Sequence, residues 1–169
     1  LYPAIDAFFY KLKTRYASKH ADFIIAASEQ TKRDIVDYYQ VPENKITVIY
    51  PCSDPIFYNG NTIEIKDLYR IERRYIISIG AITPRKNLMK TVQAFNLVKD
   101  RHDLDLVVIG TAVGLGRDYL KIILKFIEEN RLSGRVHFLD KVPYKYVPAL
   151  CRNAELMAYP SLFEGFGMP

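Results

Sequence analysis

Short apolar runs alternate with stretches of helical periodicity along most of the chain, and this alternation predicts an α/β fold. Apolar runs of about four to eight residues are typical of strands in a parallel sheet, whereas apolar residues three and four apart are typical of amphipathic helices. Because helices separate the strands, right-handed crossovers should give parallel sheets with helices on both faces. The predicted strands are 23–27, 45–50, 75–79, 104–109, 136–139 and 155–159, and the predicted helices are 4–17, one after Ser28, 87–99, 117–130 and 147–152.

A group of Pro, Gly and Asn residues interrupts this pattern in the first half of the chain. Pro51 and Pro55 are followed by the turn sequence Asn59-Gly60-Asn61, and such residues mark turns and linkers. We therefore predict a linker here, between two parts of the chain. The chain lacks an initial Met and stops shortly after a glycine-rich motif, so we expect a piece of a longer protein.

The composition is that of a globular protein, with 49% hydrophobic and 25% charged residues among 169. No apolar run approaches the ~20 residues that span a bilayer, and no secretory signal pattern is present. Cys52 and Cys151 are too few for a disulfide framework and lack the spacing of a zinc site. We therefore expect a cytoplasmic protein, with the inner face of the membrane as an alternative location.

The net charge of +5 arises from one part of the chain. Nine of the 24 Lys and Arg residues, but only three of the 19 Asp and Glu residues, lie between residues 66 and 101. A local basic cluster suits a phosphate-bearing ligand, an anionic membrane or nucleic acid, although a solvated face is equally compatible with it. Because no nucleic-acid-binding motif accompanies the cluster, we predict no nucleic-acid partner.

Two cations follow predicted strand 75–79 at its carboxyl end, where ligands of parallel α/β sheets bind. The loop reads Gly80-Ala81-Ile82-Thr83-Pro84-Arg85-Lys86-Asn87. Gly80 permits a sharp turn or the close approach of a ligand. Arg85 and Lys86 come at the start of the next helix, whose N-terminus favours anions. The loop is therefore a candidate diphosphate site, and an ordinary solvated loop is the alternative.

A carboxylate beside two glycines follows the last predicted strand. Glu164 precedes Gly165, Phe166 and Gly167, so exposed backbone amides could face a ligand while Glu164 accepts hydrogen bonds from hydroxyl groups. The alternative is that Glu164 begins a helix, where its charge complements the helix dipole. Signatures of other sites are absent: the sequence has no P-loop and no dinucleotide fingerprint, and its three histidines are isolated. They are His20, His102 and His137.

Three segments resemble motifs of family 4 (group 1) glycosyltransferases, which have the GT-B fold. They are Ala21-Asp22-Phe23-Ile24-Ile25-Ala26-Ala27-Ser28, Pro84-Arg85-Lys86-Asn87, and residues 160–169, which read PSLFEGFGMP. The resemblance implies two Rossmann-like domains, with a nucleotide-sugar donor on the second and an acceptor on the first. On this reading, residues 1–55 are the tail of the acceptor domain plus the linker, and residues 56–169 are the incomplete first part of the donor domain. It also implies transfer with retention of anomeric configuration. It implies no cofactor and no Asp-x-Asp metal site, and a donor such as GDP-mannose or a UDP-hexose.

The resemblance also implies roles for individual residues. Lys86 resembles the lysine that holds the donor diphosphate, with Arg85 beside it, and Glu164 resembles the first glutamate of the Glu-x7-Glu motif. These three are the predicted catalytic residues. The second glutamate would fall beyond Pro169, and Ala81 stands where many relatives have arginine. The predicted donor-binding residues are Gly80, Arg85, Lys86, Val142 (near the base through its backbone), Glu164, Gly165, Phe166 and Gly167.

The function expected from this resemblance is transfer of a mannose- or glucose-type hexose to a glycan or lipid-linked acceptor, with the piece inactive alone. A non-catalytic nucleotide-sugar-binding or interaction module is the alternative. Helix 4–17, in which apolar and basic residues are interleaved, raises a third possibility, peripheral membrane binding. Packing of this helix within the acceptor domain is the preferred interpretation, and the sequence leaves the oligomeric state open.

Overall fold

The computed structural model describes residues 4–58 and 69–168 of the chain. It contains two compact units: the first comprises Leu1–Ser53 together with Glu164–Met168, and the second comprises Asp54–Phe163. Each unit has its own parallel sheet and its own buried core. The predicted turn Asn59-Gly60-Asn61 lies outside the described residues, and the predicted domain limits at residues 55 and 56 stay a prediction.

The first unit is a two-stranded parallel sheet with two helices. Ile24 of the first strand lies opposite Ile46 of the second, and the small core consists of Ala26, Val41 and Ile46. Within the described residues, no helix has both the length and the apolar character needed to cross a bilayer. The elements are α1 (Ala4–His20), β1 (Ile24–Ala26), α2 (Glu29–Tyr39) and β2 (Ile46–Val48).

The sequence predicts the start of α2 correctly but overestimates the burial of β1. Ser28 caps the helix, because its Oγ accepts a hydrogen bond from Thr31 N at 3.1 Å and so satisfies one of the free amides of the first turn. In the predicted strand 23–27, by contrast, Ala26 is buried while Phe23, which precedes β1, and Ile25 are exposed. Only one face of this short sheet contacts the core of the unit, so alternate residues of the apolar run remain uncovered.

The second unit is a four-stranded parallel sheet with the strand order β5-β4-β3-β6. Its two central strands pair along their full length, from Arg74 opposite Leu104 to Ile79 opposite Ile109, so their carboxyl ends are level. Three of the four strands match their predicted limits within one residue, and β6 is shorter than the predicted strand 155–159. The elements are β3 (Arg74–Ile79), α3 (Leu88–Val98), β4 (Leu104–Ile109), α4 (Gly116–Glu129), β5 (Val136–Leu139), α5 (Val147–Arg152) and β6 (Leu156–Met157).

Alternate residues of β4 face two separate cores. Leu106 and Val108 pack against α3 and α4 on one face of the sheet, and Val107 and Ile109 pack against α5 on the other. Burial of each such side chain contributes about 1.5–3 kcal/mol. This arrangement confirms the predicted α/β fold, a parallel sheet with helices on both faces.

A buried tyrosine of β3 and a partly buried cysteine of α5 lie at the second core of this unit. The Tyr75 hydroxyl donates to the Leu150 carbonyl at 2.7 Å, and burial raises the pKa of Tyr75 to about 12. Burial also raises the pKa of the Cys151 thiol. Both groups are therefore neutral at physiological pH.

A buried carboxylate ties together the amino ends of β3, β4 and β5. The side chain of Asp105, 3% exposed, accepts a hydrogen bond from Arg135 Nε at 2.9 Å. Its second oxygen lies 2.8 Å from His137 Nε2, and Arg73 Nη1 lies 3.6 Å from the first. This cluster stands at the opposite end of the strands from Gly80 and stabilises the register of the sheet.

Candidate functional site

The two predicted cations lie in a short turn between β3 and α3. Pro84–Lys86 forms one turn of 3-10 helix, and Asn87, with a φ of 58°, caps α3. Arg85 and Lys86 therefore precede the first turn of α3 rather than lying within it. Consecutive side chains of a 3-10 helix, which has three residues per turn, point about 120° apart, and those of Arg85 and Lys86 have different partners.

The Lys86 side chain lies across Gly80 at the carboxyl end of β3. A Cβ atom on Gly80 would stand 3.4 Å from Lys86 Cε and 3.8 Å from Nζ, and the Gly80 φ of +139° is one that side-chain-bearing residues rarely adopt. Lys86 Nζ donates a hydrogen bond to the Tyr159 hydroxyl and lies 4.4 Å from the centre of that ring. The ammonium group is therefore held at the sheet edge predicted to bind ligands.

The space directly beneath this ammonium is small. A cavity of about 10 Å³ opens there, which has room for about one water molecule. A group as large as a phosphate would therefore lie at the mouth of the cavity, in front of Lys86. The cavity is lined by Ser78, Ile79, Gly80, Ala81, Ile82, Lys86, Leu88, Val108 and Tyr159.

Arg85 binds the segment that follows β6. Its Nη1 donates to the Phe163 carbonyl at 2.8 Å, and its own carbonyl accepts from Leu162 N at 2.8 Å. Asn87 Nδ2 donates to the Pro160 carbonyl at 3.2 Å. These bonds join the loop after β3 to the loop after β6 and fix the residue that directly precedes Glu164. A direct contact of Arg85 with diphosphate stays a prediction.

Glu164–Met168 belongs to the first unit, where the start of α2 holds its backbone. The Gly165 carbonyl accepts hydrogen bonds from Ser28 Oγ at 2.6 Å and from Thr31 Oγ1 at 2.9 Å, and the Phe166 ring lies 5.9 Å from that of Tyr50. Residues 160–168 form neither helix nor strand. The glycine motif is thus a fixed loop, with one carbonyl occupied by two hydroxyls.

Val142 follows β5 in the second unit, and its side chain packs against the core that α5 covers. The residue before it, Lys141, has a φ of 53°, which turns the chain sharply. The side chain of Val142 thus contributes to packing. The expected approach of its backbone to a nucleotide base stays a prediction.

Sequence reasoning missed two contributors to these loops. Tyr159, which holds Lys86, had as its only signal a position directly before Pro160 at the end of a predicted strand. The Ser28 hydroxyl was predicted only as the start of a helix, and no role outside that helix was predicted for the Thr31 hydroxyl. Both contacts join residues far apart in the chain, and no local pattern indicates them.

The described residues contain no group of three or more His, Cys, Asp or Glu side chains that could hold a metal ion. Asp103 and Asp105 have the Asp-x-Asp spacing. Both face Arg73, however, at 3.0 and 3.6 Å, at the amino end of β4. They belong to the ion-pair cluster that ties the strands together.

The second unit therefore has a Rossmann-like architecture, with a fixed ammonium at the carboxyl edge of its sheet. The family model described as "Glycosyl transferases group 1" matches residues 62–169, and that described as "Glycosyltransferase Family 4" matches residues 2–56. The first match alone covers more than half of the chain. The chain belongs to the group 1 glycosyltransferase family.

Curated relatives of the chain include bacterial mannosyltransferases. The O-antigen chain mannosyltransferase RfbU of Salmonella typhimurium is 26% identical over 167 residues, which are 98% of this chain and 43% of RfbU. The serotype-specific mannosyltransferase WbdA of Escherichia coli is 27% identical over 161 residues, which are 89% of this chain and 19% of WbdA. The chain spans less than half the length of these relatives.

Solved structures similar to this one share its fold at low sequence identity. HepE of Anabaena, in complex with UDP and glucose, has a TM-score of 0.77 and 20% identity, over 92% of this chain and 43% of HepE. A sucrose-phosphate synthase of Thermosynechococcus elongatus has a TM-score of 0.79 and 17% identity, over 95% of this chain and 40% of the enzyme. This likeness confirms the predicted GT-B type of α/β fold.

Proposed function

We propose that the whole protein transfers a hexose from a nucleoside-diphosphate sugar to a glycan or lipid-linked acceptor, with retention of anomeric configuration. The observation that carries the proposal is the Lys86 ammonium, fixed across Gly80 at the carboxyl edge of a Rossmann-like sheet in a chain of the group 1 family. An anion bound at this edge would meet a cation whose position is already set.

The proposed role of Lys86 is to stabilise the leaving diphosphate. As the bond between sugar and phosphate stretches, positive charge develops on the sugar ring and negative charge collects on the phosphate oxygens. A fixed cation beside those oxygens interacts more strongly with the transition state than with the ground state, and that difference accelerates the reaction. No metal is required for this step in the proposal.

The proposed role of Glu164 is to orient the donor sugar by accepting hydrogen bonds from its hydroxyls. Arg85 would support this role indirectly, because it fixes the carbonyl of Phe163, the residue before Glu164. The amides of Gly165, Phe166 and Gly167 would face the sugar and phosphate. The proposal also includes a direct contact of Arg85 with the diphosphate. This contact is a separate role from its hydrogen bond to the Phe163 carbonyl.

The proposed donor is GDP-mannose, because two relatives are mannosyltransferases by name. A UDP-hexose is the alternative, since the HepE structures contain UDP and UDP-glucose. The relative RfbU, named as an O-antigen chain mannosyltransferase, favours a polysaccharide acceptor. We propose that the reaction takes place in the cytoplasm, where nucleotide sugars would be available.

Replacement of Lys86 by Ala tests the proposal. We expect kcat/KM for the donor to fall about 10²–10³-fold in the whole protein, as is usual when one preorganised contact to a developing charge is lost. Calorimetric titration with GDP-mannose and UDP-glucose should show a parallel loss of donor affinity. Lys90→Ala, at an exposed lysine of α3, is the matched control and should leave both unchanged. If donor affinity and turnover are unchanged in Lys86→Ala, the proposed role of Lys86 at the diphosphate is wrong.

The non-catalytic alternative remains a distinct second hypothesis. A nucleotide-sugar-binding module would bind the donor with the same dependence on Lys86 but would release no nucleoside diphosphate in the presence of acceptor. Turnover assays of this chain beside the whole protein separate the two. We expect turnover from the whole protein and none from the chain alone.

Helix α1 carries an exposed apolar stripe that also bears on the partners. Ser18, on the other side of the helix, is buried, and Lys11, Lys13 and Arg15 are interleaved with the stripe. We propose that the stripe packs within an acceptor-binding domain, and liposome co-sedimentation tests the alternative of an anionic membrane. If the protein co-sediments with anionic liposomes and Phe8→Ser abolishes this co-sedimentation, membrane binding is favoured. The stripe consists of Ile5, Phe8, Phe9, Leu12 and Tyr16, each more than half exposed.

A further inference from the structure

The Lys86 ammonium has a specific partner within the second unit, the phenol of Tyr159. Lys86 Nζ donates to the Tyr159 hydroxyl and lies 4.4 Å from the ring centre. Both side chains are partly buried. The tyrosine oxygen accepts one of the three ammonium protons.

Tyr159 is itself held firmly by its place in the fold. It follows β6, where Ala158 N still donates to the Ile77 carbonyl of β3 at 2.8 Å. The next residue, Pro160, restricts Tyr159 to extended backbone, and the Pro160 carbonyl accepts from Asn87 Nδ2 at 3.2 Å. The phenol therefore stands on a rigid segment bonded to the same loop that carries Lys86.

A lysine at this position needs such a partner because its side chain is long and flexible. An ammonium free to sample many rotamers loses that freedom when it binds an anion, and the loss weakens binding. Gly80 has no side chain, so it leaves open the path of the lysine methylenes, but it offers no group that fixes the ammonium. Among the contacts described for Lys86 Nζ, the hydrogen bond to the Tyr159 hydroxyl fixes the ammonium in place.

We propose that Tyr159 is a positioning residue, which fixes the Lys86 ammonium before a nucleoside diphosphate arrives and so increases affinity for the diphosphate. This inference rests on the proposed function, since it assumes that Lys86 binds the donor phosphates. Tyr159 acts through Lys86 and not by a separate contact. Its contribution should therefore disappear when the lysine is removed.

A double-mutant cycle with GDP and UDP as calorimetric ligands tests the inference in the whole protein. We expect Tyr159→Phe, which keeps the ring and removes the oxygen, to weaken binding of the diphosphate about tenfold, as for loss of a hydrogen bond to a charged group. In the Lys86→Ala background the same change should have no further effect. Tyr38→Phe, at an exposed tyrosine of α2, is the control and should leave affinity unchanged.

The outcomes separate this inference from the proposed function. If Lys86→Ala weakens binding and Tyr159→Phe does not, the positioning role is wrong while the function stands. An equal loss from Tyr159→Phe in both backgrounds would show a structural role independent of Lys86 and would also overturn the inference. If Lys86→Ala leaves GDP and UDP affinity unchanged, or if neither nucleotide binds, the proposed function itself fails.

Discussion

At the scale of single residues, the neutral phenol of Tyr75 illustrates how burial and one hydrogen bond act together. Its hydroxyl donates to the Leu150 carbonyl at 2.7 Å inside the core. Replacement of Tyr75 by Phe leaves that carbonyl without its partner, so we expect the free energy of unfolding at neutral pH to fall by about 1–2 kcal/mol.

The pH dependence of this difference follows from the pKa of Tyr75, which burial raises to about 12 from the usual value of about 10. Because the folded-state pKa is the higher one, the stabilisation is fully present below about pH 10 and is lost as the pH rises through 12. Urea unfolding of both proteins between pH 8 and about pH 12 measures this. A difference that stays constant over that range would contradict the prediction.

The sequence led to single residues next to strand ends as candidate site residues, and their functional roles stay predictions. Gly80, Lys86 and Glu164 were selected because the carboxyl ends of parallel strands bind ligands, and the structure has Gly80 and Lys86 in direct contact. What the sequence did not indicate was the partner of each side chain. Arg85 binds the Phe163 carbonyl because the loop after β6 approaches it, and that approach depends on the assembled sheet.

At the scale of secondary-structure elements, the loops after β3 and β4 approach each other too closely for a side chain. A Cβ atom on Gly110 would lie 2.0 Å from the Gly80 carbonyl oxygen, and Gly110 has a φ of +157°. We expect Gly110→Ala to lower the free energy of unfolding by about 2 kcal/mol or more and to weaken nucleotide binding, since the Gly80 loop supports Lys86. Chemical denaturation and calorimetry measure both effects.

Gly134 offers the matched control for this change. A Cβ atom there would meet nothing within 4 Å, so Gly134→Ala should change stability by no more than about 0.5 kcal/mol. Equal effects of Gly110→Ala and Gly134→Ala on the free energy of unfolding would show that the close approach of the loops does not limit stability.

At the amino ends of the strands, the ion-pair cluster around Asp105 joins neighbouring strands. Asp105→Asn removes the charge that two arginines and His137 share, and we expect a loss of about 3 kcal/mol, as when one partner of a buried ion pair is removed. Asp103, whose side chain is 78% exposed, pairs with Arg73 at 3.0 Å. Asp103→Asn should therefore cost about 1 kcal/mol or less, and thermal unfolding compares the two.

The elements themselves were predictable because each has a local pattern. The apolar run 104–109 and the helical spacing of 117–130 gave β4 and α4 within one residue. β6 is shorter than predicted because its ladder with β3 has only two residue pairs, although the amides of Glu155 and Ala158 still donate to carbonyls of β3. The exposure of Ile25 in β1 could not be predicted, since it depends on which face of the sheet the core covers.

At the scale of the whole molecule, each compact unit contains one cysteine, and the two differ in accessibility. Cys52 of the first unit is exposed, whereas Cys151 of the second is partly buried, with a pKa raised by burial. We expect iodoacetamide at pH 8 to modify Cys52 rapidly and Cys151 slowly. Intact-mass spectrometry over time measures the two steps, and urea should make the slow step fast. Simultaneous modification of both in the native protein would contradict this view of the second unit.

The first unit is not a continuous stretch of sequence, because Glu164–Met168 belongs to it together with Leu1–Ser53. Anyone who divides the gene at the linker to produce the two halves separately would thus remove the Gly165 carbonyl from the hydroxyls of Ser28 and Thr31 that bind it. Recombinant halves should be exchanged with relatives as matched sets, with the start of α2 and the glycine loop taken from the same parent.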